Sequence, residues 1–260
     1  MRDALQGGYR LPQRQRIAVW AGLVGVSLIA WVYLVWMAIA MDMSMDQSMA
    51  GVRSWTAMDF IMMFLMWAVM MVGMMVPTAI PMTLIYAAIA RKAQERGQFA
   101  APTAMFVSGY VLAWTIFSAG ATGLQWGLDQ AALLSPMMVT TSPALGAALL
   151  ICAGIYQLTP AKHACLDHCR APANFIAEHW RAGSRGALLM GLHHGWFCLG
   201  CCWALMLLLF FGGVMNLLWI AAITLFVLLE KVLPVGARGG RWSGGAMAVA
   251  GLAMFAESCG

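Results

Sequence analysis

Charge is scarce in this chain. Asp, Glu, Lys and Arg make up 10% of its 260 residues, hydrophobic residues make up 62%, and mean hydropathy is +0.79. So few ionisable groups cannot cover a water-soluble core of this size, which excludes a soluble domain and leaves a polytopic membrane protein. Polar linkers, internal repeats and low-complexity tracts are also missing, so the chain reads as one bundle. It has no nucleotide-cradling glycine loop, no aspartyl-phosphate motif and no Ser, His and Asp set spaced to meet, so ATP-driven pumping by this chain is not expected. The net charge of +5 is spread between hydrophobic segments, which marks topology and not a nucleic-acid partner.

What is present is a series of apolar segments separated by basic stretches. Residues 1–16 carry Arg2, Arg10, Arg14 and Arg16 against Asp3 and read as a cytoplasmic N-terminal segment. Ile17 to Ala40 is about 24 residues long, more than a signal-peptide core, and predicts a retained first crossing. Thr56 to Ala90 is too long for one upright crossing and is expected to bend or break at Pro77 and Pro81, because proline removes a backbone donor and crowds the preceding turn. Thr103 to Trp126, Pro143 to Thr159, Gly186 to Phe211 and Val214 to Leu233 follow, with a tight Gly212-Gly213 turn joining the last two. Gly245 to Ala256 is short for a crossing.

The prediction is an all-α transmembrane bundle of six or seven helices within residues 17–260. An outer Met/Asp loop lies at 41–55 and an inner Cys/His loop at 160–185. Basic residues in successive loops number four, one, three, none, four, none and three, the alternation expected of a multi-pass protein of the cell inner membrane with a cytoplasmic N-terminus.

Seven cysteines lie mostly in or beside apolar segments, three of them within five residues of each other, which predicts free thiols and not a disulfide scaffold. In GLHHGWFCLGCC, residues 191–202, His194, Cys198, Cys201 and Cys202 fall within roughly 100° of helical arc, with His193 just off it. Adjacent Cys201 and Cys202 are poorly placed to bridge one another. Thiolate with imidazole suits Cu(I) or zinc, and binding would release protons. Tight packing by small residues, with Gly191, Gly195 and Gly200 contributing, is the competing explanation.

The inner loop adds KHACLDHCR, residues 162–170. Cys165 and Cys169 stand four apart on one helical face, His163 or His168 is able to add a ligand, and Lys162 and Arg170 favour the thiolate. Because this loop adjoins the fifth helix, the two clusters would form one site or a relay, with Cys165 and Cys169 at the cytoplasmic mouth.

Methionine is the third signal, with 23 in the chain. Met41, Met43, Met45 and Met49 alternate with carboxylates in the outer loop, a pattern suited to capturing Cu(I). Asp59, Met63, Met66, Met70 and Met74 fall within about 80° of arc and lead towards Pro77, so they would guide an ion inward, although core packing explains such a stripe too. Asp59 inside an apolar segment needs a partner or a cavity. Cys152, Tyr156 and Thr159 share a face that either approaches the same centre or serves packing. Asn216 and Glu230 bracket the sixth helix, with Glu230 read beside Lys231 as a snorkelled pair at the inner boundary.

The segments MWAVMMVGMMVPTAIPM at 66–82, GIYQLTPAKHACLDHCRAP at 154–172 and GLHHGWFCLGCCWALMLLLFFGGVMNLLW at 191–219 resemble the family of predicted metal-binding integral membrane proteins known as domain of unknown function 2182. The likeness runs from roughly Thr56 to Pro234. It implies a membrane fold and a metal role, and it does not choose between transport, delivery and catalysis. Together these readings predict binding of a soft transition metal, Cu(I) ahead of zinc, for transport across or delivery within the membrane by Met to Cys/His ligand exchange, and not an enzyme. Two alternatives stay open: a membrane thiol-disulfide oxidoreductase using Cys165/Cys169 or Cys198/Cys201, and an accessory subunit of a membrane metalloenzyme holding a structural zinc. The expected partners are the lipid bilayer, the metal ion, and a membrane metalloenzyme or a second copy of the chain.

Overall fold

A computed structural model describes residues 11–45, 55–135, 138–233 and 236–259. Among these residues the regular structure is helical, apart from one isolated bridge between Leu134 and Thr140. Helix α1 (Gln13–Met45) continues past Ala40, so the segment read as an outer loop begins as helix. Its run of Met, Ala and Ile offers nothing that would stop a helix there.

Helix α2 (Ala57–Met75) opens with a reciprocal capping box. The Asp59 carboxylate accepts from Thr56 N at 2.8 Å and Thr56 Oγ1 at 2.7 Å, while Thr56 Oγ1 accepts from Asp59 N. Asp59 therefore lies in the first helical turn, where its charge meets the free amide groups, and is not stranded in an apolar segment. Pro77 ends the helix as expected: a 3-10 turn over Pro77–Ala79 leads into α3 (Ile80–Glu95). After α4 (Thr103–Gln130) come α5 (Pro143–Leu158) and α6 (Pro160–Arg170), bent by 64°. Both begin with a hydroxyl cap followed by proline. Ser142 Oγ accepts from Leu145 N, and Thr159 Oγ1 accepts from Lys162 N, each at 3.3 Å.

The segment read as an inner loop is thus folded as α6 and a second short helix, α7 (Pro172–His179). Helix α8 (Gly183–Leu207) and the short α9 (Leu209–Gly212) end at Gly213, whose φ of 96° turns the chain. Asn216 then caps α10 (Leu217–Val232) by accepting from Trp219 N, and α11 (Gly236–Cys259) closes the fold.

Four stretches are long and apolar enough to cross a membrane: 13–40, 57–95, 103–130 and 183–212. The bent pair of α5 and α6 would make a fifth. Helix α10 has 16 residues, below the ~20 of an upright crossing. Helix α11 is long enough, but glycines and arginines dilute its first turns. On α1, Ile29 and Val32 are 72% and 70% exposed, an outward apolar face that fits lipid and not water.

Small residues set the two closest helix contacts. A Cβ on Gly191 would lie 1.9 Å from Phe106 O, and one on Gly109 would lie 2.0 Å from Leu188 O, so α4 and α8 meet backbone to backbone. Gly154 and Gly244 likewise bring the α11 backbone close to that of α5, where a Cβ on Gly154 would lie 2.6 Å from Ala248 N. Helix α6 lies along α8, where Gly200 leaves room for Cys165. The buried core runs through the α2 methionines and Trp67, Tyr110 and Trp114, and the α8 cysteines belong to it.

Candidate metal centre

Helical spacing carries His194, Cys198, Cys201 and Cys202 to one side of α8. All four are buried, whereas His193, one step away, is exposed. Cys201 and Cys202 donate back to Cys198 O at 3.0 and 2.9 Å, which turns both sulfurs towards Cys198. Cys198 Sγ is close to both thiols and to Cys169, which α6 packs against the same buried cluster; Cys169 also approaches Cys201. The two cysteine motifs, whose nearest members stand 29 apart in sequence, therefore converge. Cys169, which is half-buried, stands among the α8 thiols. Cys165 packs against Gly200, where an added Cβ would come within 2.7 Å of its sulfur.

Cys198 is the node of this arrangement. Lys231 Nζ, from α10, donates to Cys198 Sγ at 2.9 Å and to Thr78 Oγ1 at 3.1 Å. Tyr110 Oη, from α4, lies 3.0 Å from the same sulfur and donates to Met75 O at 3.0 Å. Thr78 Oγ1 donates to Met75 O at 2.8 Å. The proline break between α2 and α3 thus supplies a carbonyl and a hydroxyl that orient the tyrosine and the lysine. An ammonium group beside sulfur is a charge partner for thiolate, the form that binds soft metals. Among the described residues, no three His, Cys, Asp or Glu side chains are placed to hold a metal ion together. The thiols are gathered around Cys198 with a lysine among them.

The remaining candidates divide. His194 is buried between aromatic rings, with its ring centre 5.5 Å from that of Tyr110 and 6.1 Å from that of Phe106, and its Nδ1 has no hydrogen-bond partner. His193 faces away from the thiols, 4.6 Å from the His179 ring. His168 stacks flat on Phe197 at 4.2 Å, and His163 buries an unpartnered Nε2 outside the thiol group. Cys152 is exposed, Thr159 caps α6, and only Tyr156 of that trio reaches the neighbourhood, donating to Gly200 O.

Met66, Met70 and Met74 are buried, and Met63 accepts from Gln125 Nε2 at 3.6 Å. The stripe ends one residue before Met75, whose carbonyl orients Tyr110. Met41, Met43 and Met45 lie on α1 with side chains outside the described residues, and Met49 lies outside them altogether.

Tyr110 and Thr78 were not singled out from the sequence, Lys231 was read only as a partner of Glu230, and two readings of charge need correcting. Glu230 and Lys231 are not a snorkelled pair. Consecutive helical residues point about 100° apart, so Lys231 turns to Cys198 while Glu230 bonds Lys162 in a pair whose side chains are 4% and 1% exposed. Lys162 is therefore spent on Glu230 and not on the neighbouring thiols, and Arg170 donates to Leu233 O. The available signal was two successive charges closing an otherwise apolar helix.

A helical protein with four to five membrane-length apolar stretches and a buried cluster of soft-metal donors belongs to the class of metal-handling proteins. The chain is a member of the copper chaperone family PpoB2, whose model matches residues 64–254 and so spans α2 to α11 with all four clustered thiols. The metal-handling family and the preference for copper expected from the sequence are thereby shown at that level. Comparison with curated proteins and with solved structures gives no match.

Proposed function

We propose that this protein is an inner-membrane copper chaperone with six or seven crossings and a cytoplasmic N-terminus. It accepts Cu(I) on Cys169, Cys198, Cys201 and Cys202 and releases it by ligand exchange to a membrane metalloenzyme. The observation that carries this reading is the convergence of Cys169 with the three α8 thiols around a sulfur paired with Lys231. Cu(I) is satisfied by few sulfur ligands, so a group of thiols without a fixed cage suits a carrier that must also let go. Lys231 supports the centre by balancing sulfur charge before the metal arrives. Helix α2 contributes its thioethers as weak, exchangeable donors leading to the proline break, with Met41, Met43, Met45 and Met49 as the outer capture segment. Helix α10, which is short, and helix α11, whose first turns are diluted by glycine and arginine, are counted as crossings because basic residues alternate along the chain.

The test is copper analysis of the detergent-purified full chain combined with competition against a Cu(I) chelator. Wild-type protein is expected to retain Cu(I), and Cys198→Ser/Cys201→Ser to lose it. Equal copper in both proteins rejects the proposal. Reversible thiol-disulfide cycling between Cys169 and Cys201 that ignores chelation would instead identify an oxidoreductase.

A further inference from the structure

His179, at the end of α7, stands out in space and not in sequence. Its ring lies 4.6 Å from that of His193 on α8, edge to face, and both line a cavity of about 260 Å³ together with Arg181, Met190 and Trp196. His179 Nδ1 sits 3.0 Å from Phe175 O, and donation there leaves Nε2 with a free lone pair. A histidine ligand is ordinarily oriented in this way, by its second nitrogen on a backbone carbonyl. His168 is held in the same manner, with Nδ1 2.8 Å from Ala164 O, and both it and His193 pack against Phe197. Two imidazoles from two helices thus border one cavity, with that of His168 beside Phe197 nearby.

Phe175 links this surface to the interior, touching the two surface imidazoles on one hand and His194 on the other. Phe175 is buried, with ring centres 4.7 Å from His179, 5.7 Å from His193 and 5.5 Å from His194. Behind it, His194 keeps an unpartnered Nδ1 and stacks on Tyr110, which touches Cys198. A polar nitrogen buried without a partner is costly in an apolar interior and marks a place where a ligand or ion completes the bonding.

We propose that His179 and His193 form a second copper site, an exchange port at the protein surface, from which the ion passes Phe175 to His194 and then to Cys198. The proposal rests on the chaperone reading for its destination but not for the port itself. Imidazole binds Cu(I) more weakly than clustered thiolates do, so Cu(I) offered at the port moves inward by ligand exchange, without change of oxidation state, once Phe175 gives way.

Two measurements on the full chain in detergent test it. In the Cys198→Ser/Cys201→Ser background, added Cu(II) is expected to give an electron paramagnetic resonance spectrum with imidazole nitrogen hyperfine structure, lost on His179→Gln or His193→Gln. In the wild-type background, the same single substitutions are expected to slow loading of the thiols from a Cu(I)-glutathione complex by roughly tenfold. Both histidines are at least partly exposed, so the folded state should tolerate glutamine. A spectrum without imidazole coupling, or one that survives both substitutions, overturns the port, and unaltered loading rates overturn its exchange role. Failure of the thiol reading looks different: copper content would then be the same with and without Cys198 and Cys201.

Discussion

At the scale of single residues, Glu230 and Lys231 show how two neighbours acquire separate tasks. Lys231 reaches Cys198 and Thr78, so Lys231→Met removes the charge partner of the central sulfur while keeping most of the packing volume. Cu(I) affinity measured by chelator competition is expected to fall roughly tenfold or more, whereas Cys152→Ser, at an exposed position, leaves it unchanged. Glu230 pairs with Lys162 where neither side chain meets solvent. Glu230→Ala strands an ammonium group in the interior and is expected to destabilise the fold by about 3 to 5 kcal/mol, read from thermal unfolding in detergent. Replacing both partners by Leu and Met should recover most of that loss, because the uncompensated charge is then gone.

At the scale of elements, the centre depends on how closely helices approach. Helix α8 has almost no lateral variation in hydrophobicity, so its two sides are distinguished by residue size. Gly191 and Gly195 on one side admit α4, and Gly200 on another admits Cys165 of α6. Gly191→Leu would drive a side chain into the Phe106 carbonyl and push α4, with Tyr110, away from Cys198. The expected outcome is a lowered melting temperature together with faster alkylation of the α8 thiols by a small maleimide. Unaltered thiol protection would show that the α4 contact does not seal the centre.

These contacts also show what could be read beforehand. The proline break after α2, the Gly212-Gly213 turn and the buried side of α8 follow from local rules of spacing and backbone sterics. The packing of α6 along α8 does not. A polar segment with Lys162 and Arg170 reads as a solvent loop until tertiary partners, Glu230 and Leu233 O, absorb its charges. His179 was passed over for a similar reason, since an isolated histidine carries no local pattern and only the fold sets it beside His193.

At the scale of the whole molecule, copper loading should be linked to protons and to orientation. Thiols must deprotonate to bind, so Cu(I) uptake releases protons and its affinity should weaken as pH falls. Calorimetry in buffers of different ionisation enthalpy would measure the protons released, and a binding heat independent of buffer would contradict thiolate ligation. Orientation is open to reporter fusions. The alternation of basic residues predicts a cytoplasmic N-terminus and a cytoplasmic side for residues 160–185, which would put the His179 and His193 surface on that face.

The amino-acid sequence alone determined the helical, apolar character of this protein and the kinds of soft-metal donor it carries, because composition and periodicity are properties of the chain itself. Tertiary structure decided which donors meet. Cys169 joins Cys198 and Cys201, Lys231 replaces the expected nearby cations, and His194 parts from His193, since each of these outcomes depends on the distance and rotation between helices far apart in sequence. Those distances are set by glycines that allow backbone contact and by buried polar groups that must find partners, and neither acts until the helices pack.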